Sequence, residues 1–438
     1  MSALGWLSGW SYRKRHKILS ASNAGTGYPI RLVVYYGSGS DEGGTVYLGG
    51  KCRSDFGDVR FTKADGTTQL TYFLDPSYTA SSVAVFWVKI DDDLSSSPAT
   101  ICLYYGNSTA VSQSDSSIFY FYDDLETWEG WTQYNGGSVS QDSSRAFDGN
   151  YSAHKTTNND PAGAYKDIGQ TLGLNIALEF RVNRNSGYSG GAYDRIGLID
   201  NSGNGYGWGY THSGDDVAID KRTSYSASVL SIGSGTDEMD AWSRGILKIL
   251  SGNTIIALRY LSDGSSGGST DIVDSSYSSF SRVYIFGGYD YWVDQIIVRK
   301  CVEPEPEHGF WTAEETENKA CLVVTDFDNT YYEGWEKVGS SPYLSAVDYP
   351  ENYVASTVSS SSIGFFSFED LEANIINSAS LAVRVRGAIF GARVYVWVHD
   401  GSSLTNVGYV SSYNAWSWKT LDVTSILNTP EKVNNAKV

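Results

Sequence analysis

The sequence predicts an all-β chain of three consecutive β-sandwich or jelly-roll domains, and three observations carry that prediction. The first is the kind of apolar residue, since 32 Tyr, 16 Phe and 13 Trp stand against 2 Met. Aromatic and β-branched side chains suit a pleated, half-buried surface. The second is a content of 46 Gly with many Ser, Thr and Asn, which supply turns between short strands. The third is length: 438 residues exceed one ordinary core and suggest roughly two to four. Hydrophobic residues at 41% against charged residues at 19% give a balance that fills cores rather than leaving the chain disordered.

Residues 1–122 form the first predicted domain. Strands are expected at 28–36 (YPIRLVVYY), 59–62, 69–74, 83–90 and 101–105, each rich in Val, Ile and aromatics. Turn signals separate them at 37–44, at Ala64-Asp65-Gly66, at Asp75-Pro76 and at Gly106-Asn107. Further motifs follow in order: Trp10 with Tyr12, Arg13 and Lys14; Tyr28-Pro29; Cys52 to Phe61 (CRSDFGDVRF); Phe86 to Lys89; and Tyr104-Tyr105-Gly106-Asn107. This string resembles DUF2341, a family of unassigned function found in archaeal and bacterial surface proteins and in virus-encoded proteins. The resemblance implies architecture and setting, and no activity. Within CRSDFGDVRF, Asp55 and Asp58 can accept hydrogen bonds from nearby amides while Gly57 permits a bend. A structural knot is expected there, not a catalytic pair.

Residues 123–301 form the second predicted domain. It opens with Asp123-Asp124-Leu125-Glu126, passes a turn at Asp148-Gly149-Asn150 and closes with the strand 291–298 (YWVDQIIV). Between these ends, strands are expected at 176–182, 195–199, 241–250, 254–260 and 282–286. The acidic opening, the DGN turn and the WVDxIxV strand are similar to concanavalin/LamG-like and carbohydrate-binding jelly rolls. A Glu/Pro-rich connector, 302–321, is expected to act as a stiff spacer. A third domain, 322–438, has predicted strands at 380–386, 392–399, 407–410 and 416–423, and resembles the accessory β-sandwiches of such surface proteins.

A net charge of −18 and a pI near 4.7 disfavour binding to nucleic acid or to anionic lipid. No apolar run has the length of a transmembrane helix, so no membrane insertion is expected. The basic cluster near the N-terminus follows a short apolar stretch, the reverse of a signal peptide. Export by another route, such as release within a virus particle, is one expectation; prior removal of a signal is the other. Cys52, Cys102, Cys301 and Cys321 show no zinc-ligand spacing. Their even number permits two disulfides, and a Cys301–Cys321 bond would clip the connector.

The five histidines are scattered, and the GxSxG matches at Ser189 and Ser266 lie in Gly/Ser-rich loops without a following helix. HExxH is absent, and Glu179 stands alone on its strand. The chain is therefore expected to bind rather than catalyse. In Gly205-Tyr206-Gly207-Trp208-Gly209-Tyr210, period-two alternation puts Tyr206, Trp208 and Tyr210 on one face and only glycine on the other. Those rings either stack on sugar, with Asp194, Arg195 and His212 bonding hydroxyls, or fill the sandwich core. Pairing of the first and last strands would bring Asp124 and Glu126 near Asp294, with Asp148 as a fourth oxygen donor for a structural calcium ion; acids capping backbone amides are the alternative.

The expected function is display, adhesion or recognition on an extracellular or virion surface. The expected partners are a glycan or cell-surface polysaccharide, other copies of the chain, and virion or surface proteins. A subunit of an extracellular filament or sheath and a polysaccharide-degrading enzyme are the competing expectations.

Overall fold

The computed structural model describes residues 5–186, 193–211 and 215–316, and beyond them the backbone of the strands between Val324 and Asp422. The chain divides into one compact unit, Gly5–Thr316, and a second made of the remainder. Among the described residues every regular element is a strand except one 3-10 turn, Ser116–Ile118, and no helix is long and apolar enough to cross a membrane.

The unit Gly5–Thr316 contains two sandwiches, four sheets in all. Sheet I joins Tyr12–Ile18, Ala99–Tyr105 and Arg60–Lys63. Sheet II joins Thr45–Tyr47, Tyr28–Tyr35, Val83–Ile90 and Tyr72–Leu74. Inward residues alternate along these strands, and Ile30, Leu32 and Val34 of sheet II meet Phe61, Ile101 and Leu103 of sheet I in one core.

The second sandwich follows the jelly-roll expectation. Sheet III runs in the order Val139–Asp142, Ser152–Lys155, Tyr291–Lys300, Ile176–Arg184, Ser243–Ile249, Thr254–Tyr260, Ser266–Val273. Its closing strand also pairs with the opening one, Phe121–Asp123, through Ile296 opposite Asp123. Sheet IV runs Ser226–Ser234, Asp216–Thr223, Gly205–Tyr210, Asp194–Ile199, Phe280–Gly287, Gly163–Leu172, Trp131–Tyr134. Leu178, Phe180, Leu247 and Val293 pack against Ile196, Leu198, Val217 and Ile285 between the two sheets. The outer faces of sheets II and III meet through Phe73, Trp87 and Ile297, with Ile118 and Phe119 from the link packed beside them.

The connector is not a spacer over its described part. His308–Trp311 and Glu315–Thr316 both pair with Tyr12–Ile18 and extend sheet I. The physical reason is charge. The strand Tyr12–Ile18 (YRKRHKI) buries Arg13, whose Nε donates to Glu315 at 2.7 Å, and Arg15 ion-pairs with the same carboxylate at 2.9 Å. Glu305 bridges the two sandwiches, accepting from Tyr28 Oη of sheet II at 2.9 Å and from Arg299 Nη1 of the second sandwich at 2.8 Å. The connector's glutamates thus act as counter-ions.

The cysteine expectation also changes. Cys52, Cys102 and Cys301 are buried free thiols; Cys321 lies outside the described residues. Burial pushes the Cys52 and Cys301 thiols up to about 12, so neither is a reactive thiolate.

In the second unit the described strands pair antiparallel: Val324–Asp328 with Phe365–Phe368, Trp335–Val338 with Tyr353–Ser356, Ser380–Val385 with Ser417–Asp422, and Val394–His399 with Leu404–Val410.

Candidate functional site

Sheet IV positions the candidate site, though not through the residues that the sequence singled out. Tyr206, Trp208 and Tyr210 share one face as expected, but that face is the core, where they are 0%, 0% and 2% exposed. Trp208 Nε1 donates to the Leu258 carbonyl at 2.9 Å, and Tyr206 Oη donates to Asp274 at 2.6 Å. These rings cannot stack on a ligand. Asp194 also points inward, held by Arg184 Nε at 2.7 Å, and burial, opposed by Arg184, pushes its carboxyl up to about 6. His212 lies outside the described residues.

Among the described members of that set, Arg195 alone lies on the outer face of sheet IV, where it anchors a largely buried ionic layer. It pairs with Asp220 and, at 3.0 Å, with Asp160; Arg222 reaches the other oxygen of Asp160 at 2.9 Å. The layer fits because Gly197 and Gly207 leave the sheet bare. The Tyr284 hydroxyl lies across them, and a Cβ at Gly197 would come within 2.6 Å of it. Within the layer Asp220 Oδ1 and Arg222 Nε have no hydrogen-bond partner among the described residues. Burial pushes the Asp220 carboxyl up, against the pull of Arg195 and Arg222.

Above this layer sits a half-buried cluster of three tyrosines: Tyr134 and Tyr165 from neighbouring strands and Tyr225 from the adjoining turn. Tyr134 and Tyr225 stack at 4.0 Å and 20°. The Arg282 guanidinium lies 4.4 Å over the Tyr165 ring and donates to Asp167 at 2.6 Å and to Tyr225 Oη at 3.2 Å. Exposed Asn201 adds its carbonyl to Arg282 at 3.1 Å and its side chain to Ser281 at 2.9 Å. Ring faces beside planar hydrogen-bonding groups are the chemistry that holds a pyranose: C–H faces against rings, hydroxyls against amide, guanidinium and carboxylate. The sequence did give one signal, since Tyr134 and Tyr165 stand out of phase with the core residues Trp131 and Ala164 on their strands. Tyr225 has φ +70° in its turn and follows no periodicity.

The four acids considered for calcium do gather near the closing strand, but each serves the backbone. Glu126 Oε1 accepts the amides of Asn150 and Tyr151 at 2.7 and 2.8 Å, fixing the DGN turn. Asp294 accepts the amides of Phe147 at 2.8 Å and Gln295 at 2.7 Å; Asp124 accepts that of Glu126 at 3.2 Å. Burial pushes Asp294 up to about 7 and raises Asp148, with Asp75 and Glu126 adding to the latter. Among the described residues no group of three or more His, Cys, Asp or Glu side chains is arranged to hold a metal ion.

CRSDFGDVRF forms the expected knot. Asp58, fully buried, accepts the amides of Arg53 at 2.8 Å, Gly106 at 2.7 Å and Asn107 at 3.1 Å, while Arg53 pairs with Asp55 at 2.8 Å. One carboxylate thereby ties the stretch to the Tyr-Tyr-Gly-Asn motif.

The family model for the domain of unknown function DUF2341 matches residues 55–134, from this knot through the link into the second sandwich. The uncharacterized protein MJ1394 of Methanocaldococcus jannaschii is 36% identical over 185 residues, 42% of this chain; the chain spans 19% of that relative's length. Among solved structures, the carbohydrate-binding module CBM66 from Bacillus subtilis aligns over 40% of this chain and 94% of its own, at 17% identity and a TM-score of 0.28. An endo-beta-1,4-glucuronan lyase from the fungus Trichoderma reesei aligns over 42% and 95%, at 16% and 0.30. The CBM2 module of the evolved Dit protein of Lactobacillus casei BL23 phage J-1 aligns over 41% and 94%, at 12% and 0.29. Nothing about the chemistry of this chain follows from those likenesses. The chain carries a DUF2341 match at residues 55–134, and its strands continue into a jelly-roll sandwich.

Proposed function

We propose that this chain is a glycan-binding surface protein that grips its ligand on the outer face of sheet IV and does not turn it over. It is displayed outside the cell or on a virion, beside copies of itself or other surface proteins. The observation that carries the reading is the cluster of Tyr134, Tyr165 and Tyr225 flanked by Arg282, Asp167 and Asn201. Absence of turnover is supported by how the buried acids are held. Asp194 and Glu179 are locked by arginines and Asp294 by amides, so none of the three is presented to a substrate. The net charge of −18 favours a neutral saccharide over a polyanionic one on this face.

A glycan array probed with the full chain, followed by titration of the best-retained sugar, tests the reading. Tyr165→Ala and Tyr225→Ala are each expected to weaken binding by about tenfold, the effect of one lost ring contact. Tyr206→Phe, inside the core, is expected to leave affinity unchanged. Reducing ends released from the bound polysaccharide, or full affinity in both tyrosine variants, would contradict it.

A further inference from the structure

Where sheets II and III meet, the apolar contact of Phe73, Trp87 and Ile297 gives way to a charged seam. A cavity of about 20 Å³ opens there, lined by Arg31, Arg181 and Arg244 with Asp75, Glu179 and Gln295 in its walls. Three guanidiniums thus face two carboxylates, and both carboxylates are engaged elsewhere. Glu179 accepts Arg299 Nε at 2.6 Å; Arg244 Nε lies 3.2 Å from its other oxygen without completing a hydrogen bond. Asp75 Oδ1 accepts Gln295 Nε2 at 2.8 Å and the Ser77 hydroxyl at 2.6 Å.

The two remaining arginines are poorly matched. Among the described residues the Arg31 guanidinium meets Glu179 and Asp75 only through charge at a distance. Arg181 makes one long contact, 3.4 Å to Gln295 Oε1, and otherwise lies 4.3 Å over the Phe147 ring. Burial, opposed by Asp75 and reinforced by Arg244 and Arg31, holds Arg181 down to about 10. A cation short of hydrogen-bond partners in a partly dry seam gains from a further counter-ion.

We infer that this seam binds one small monovalent anion, a halide or the head of a carboxylate, between Arg31, Arg181 and Arg244. The cavity is larger than the roughly 10–15 Å³ that one water needs, and too small for a sugar ring. Guanidinium forks suit either ion, by charge or by paired hydrogen bonds. The anion completes the charge balance between the two sandwiches and holds them in register.

Chloride NMR line width on the full chain at constant ionic strength reads the site directly. Excess broadening is expected, with a drop of about tenfold or more in chloride affinity for Arg31→Gln and for Arg181→Gln. Lys17→Gln, on sheet I, is expected to behave as wild type. Displacement of chloride by bromide but not acetate identifies a halide site; displacement by both identifies one that also takes carboxylates. Crystals grown in bromide guard against misfolded variants, since the wild-type chain should show an anomalous peak between the three arginines. No peak there, or broadening that survives both arginine substitutions, would overturn the inference.

Discussion

Asp294 and His16 are buried at ordinary pH with opposite consequences. Asp294 has its carboxyl raised from 3.8 to about 7 by burial, so the folded chain holds a proton there that the unfolded chain has already released. Its contribution to stability is therefore present below about pH 4 and lost as pH rises towards 7. Asp294→Asn abolishes that slope. The melting-temperature difference between variant and wild type should shift in the variant's favour from pH 4 to pH 7, whatever its constant offset. An unchanged difference would show the carboxylate to be comfortable at its amides.

His16 runs the other way. Burial, with His308 beside it, lowers its imidazole from 6.5 to about 3; its Nε2 lies 2.9 Å from His308 Nδ1 and its ring stacks on Trp311 at 4.0 Å. The unfolded chain takes up the proton first, so stability is lost as pH falls from about 6.5 towards 3. His16→Phe, which keeps the stacking, should flatten the melting-temperature profile over that window. A profile as steep as that of the wild type would place the acid sensitivity elsewhere.

At the scale of the element, the bare strand Gly205–Tyr210 and the connector carry the clearest consequences. Gly207→Ala would drive a methyl into the Tyr284 hydroxyl and should cost about 1–3 kcal/mol in denaturant unfolding. Gly173→Ala, with open space around it, makes the matched control. Glu305→Gln removes a counter-ion from Arg299, which is buried, and from Lys248 at 3.0 Å, and should cost on the order of 1–3 kcal/mol. No loss in the second variant would make the connector a passenger.

Legibility in the sequence follows the same physics. Strands such as Val83–Ile90 and Thr254–Tyr260, buried on at least one face and rich in Val, Ile and Leu, stand where their pattern puts them. Tyr12–Ile18 carries no apolar alternation because Arg13 and His16 are buried, and Arg15 half-buried, against partners about 300 positions away in the chain. Ser226–Ser234 leaves no strand signal in the sequence because an edge strand that is mostly exposed needs no apolar alternation.

At the scale of the whole molecule, the first sandwich supplies a knot and a charged base, and the second presents the candidate ligand face. The alternation in GYGWGY was plain in the sequence; which of its faces is core was not. That choice depends on Leu258 and Phe180 of the opposite sheet, and on Tyr284 filling the groove that the glycines leave. The tyrosine cluster is likewise a tertiary fact, assembled from three segments that share no local motif. The most direct measurement is a crystal structure of the full chain with the oligosaccharide that it retains best. An intact sugar is expected, lying on Tyr134, Tyr165 and Tyr225 and bonded to Arg282 or Asn201. A sugar bound elsewhere with that face empty, or one cleaved between two carboxylates, would contradict it.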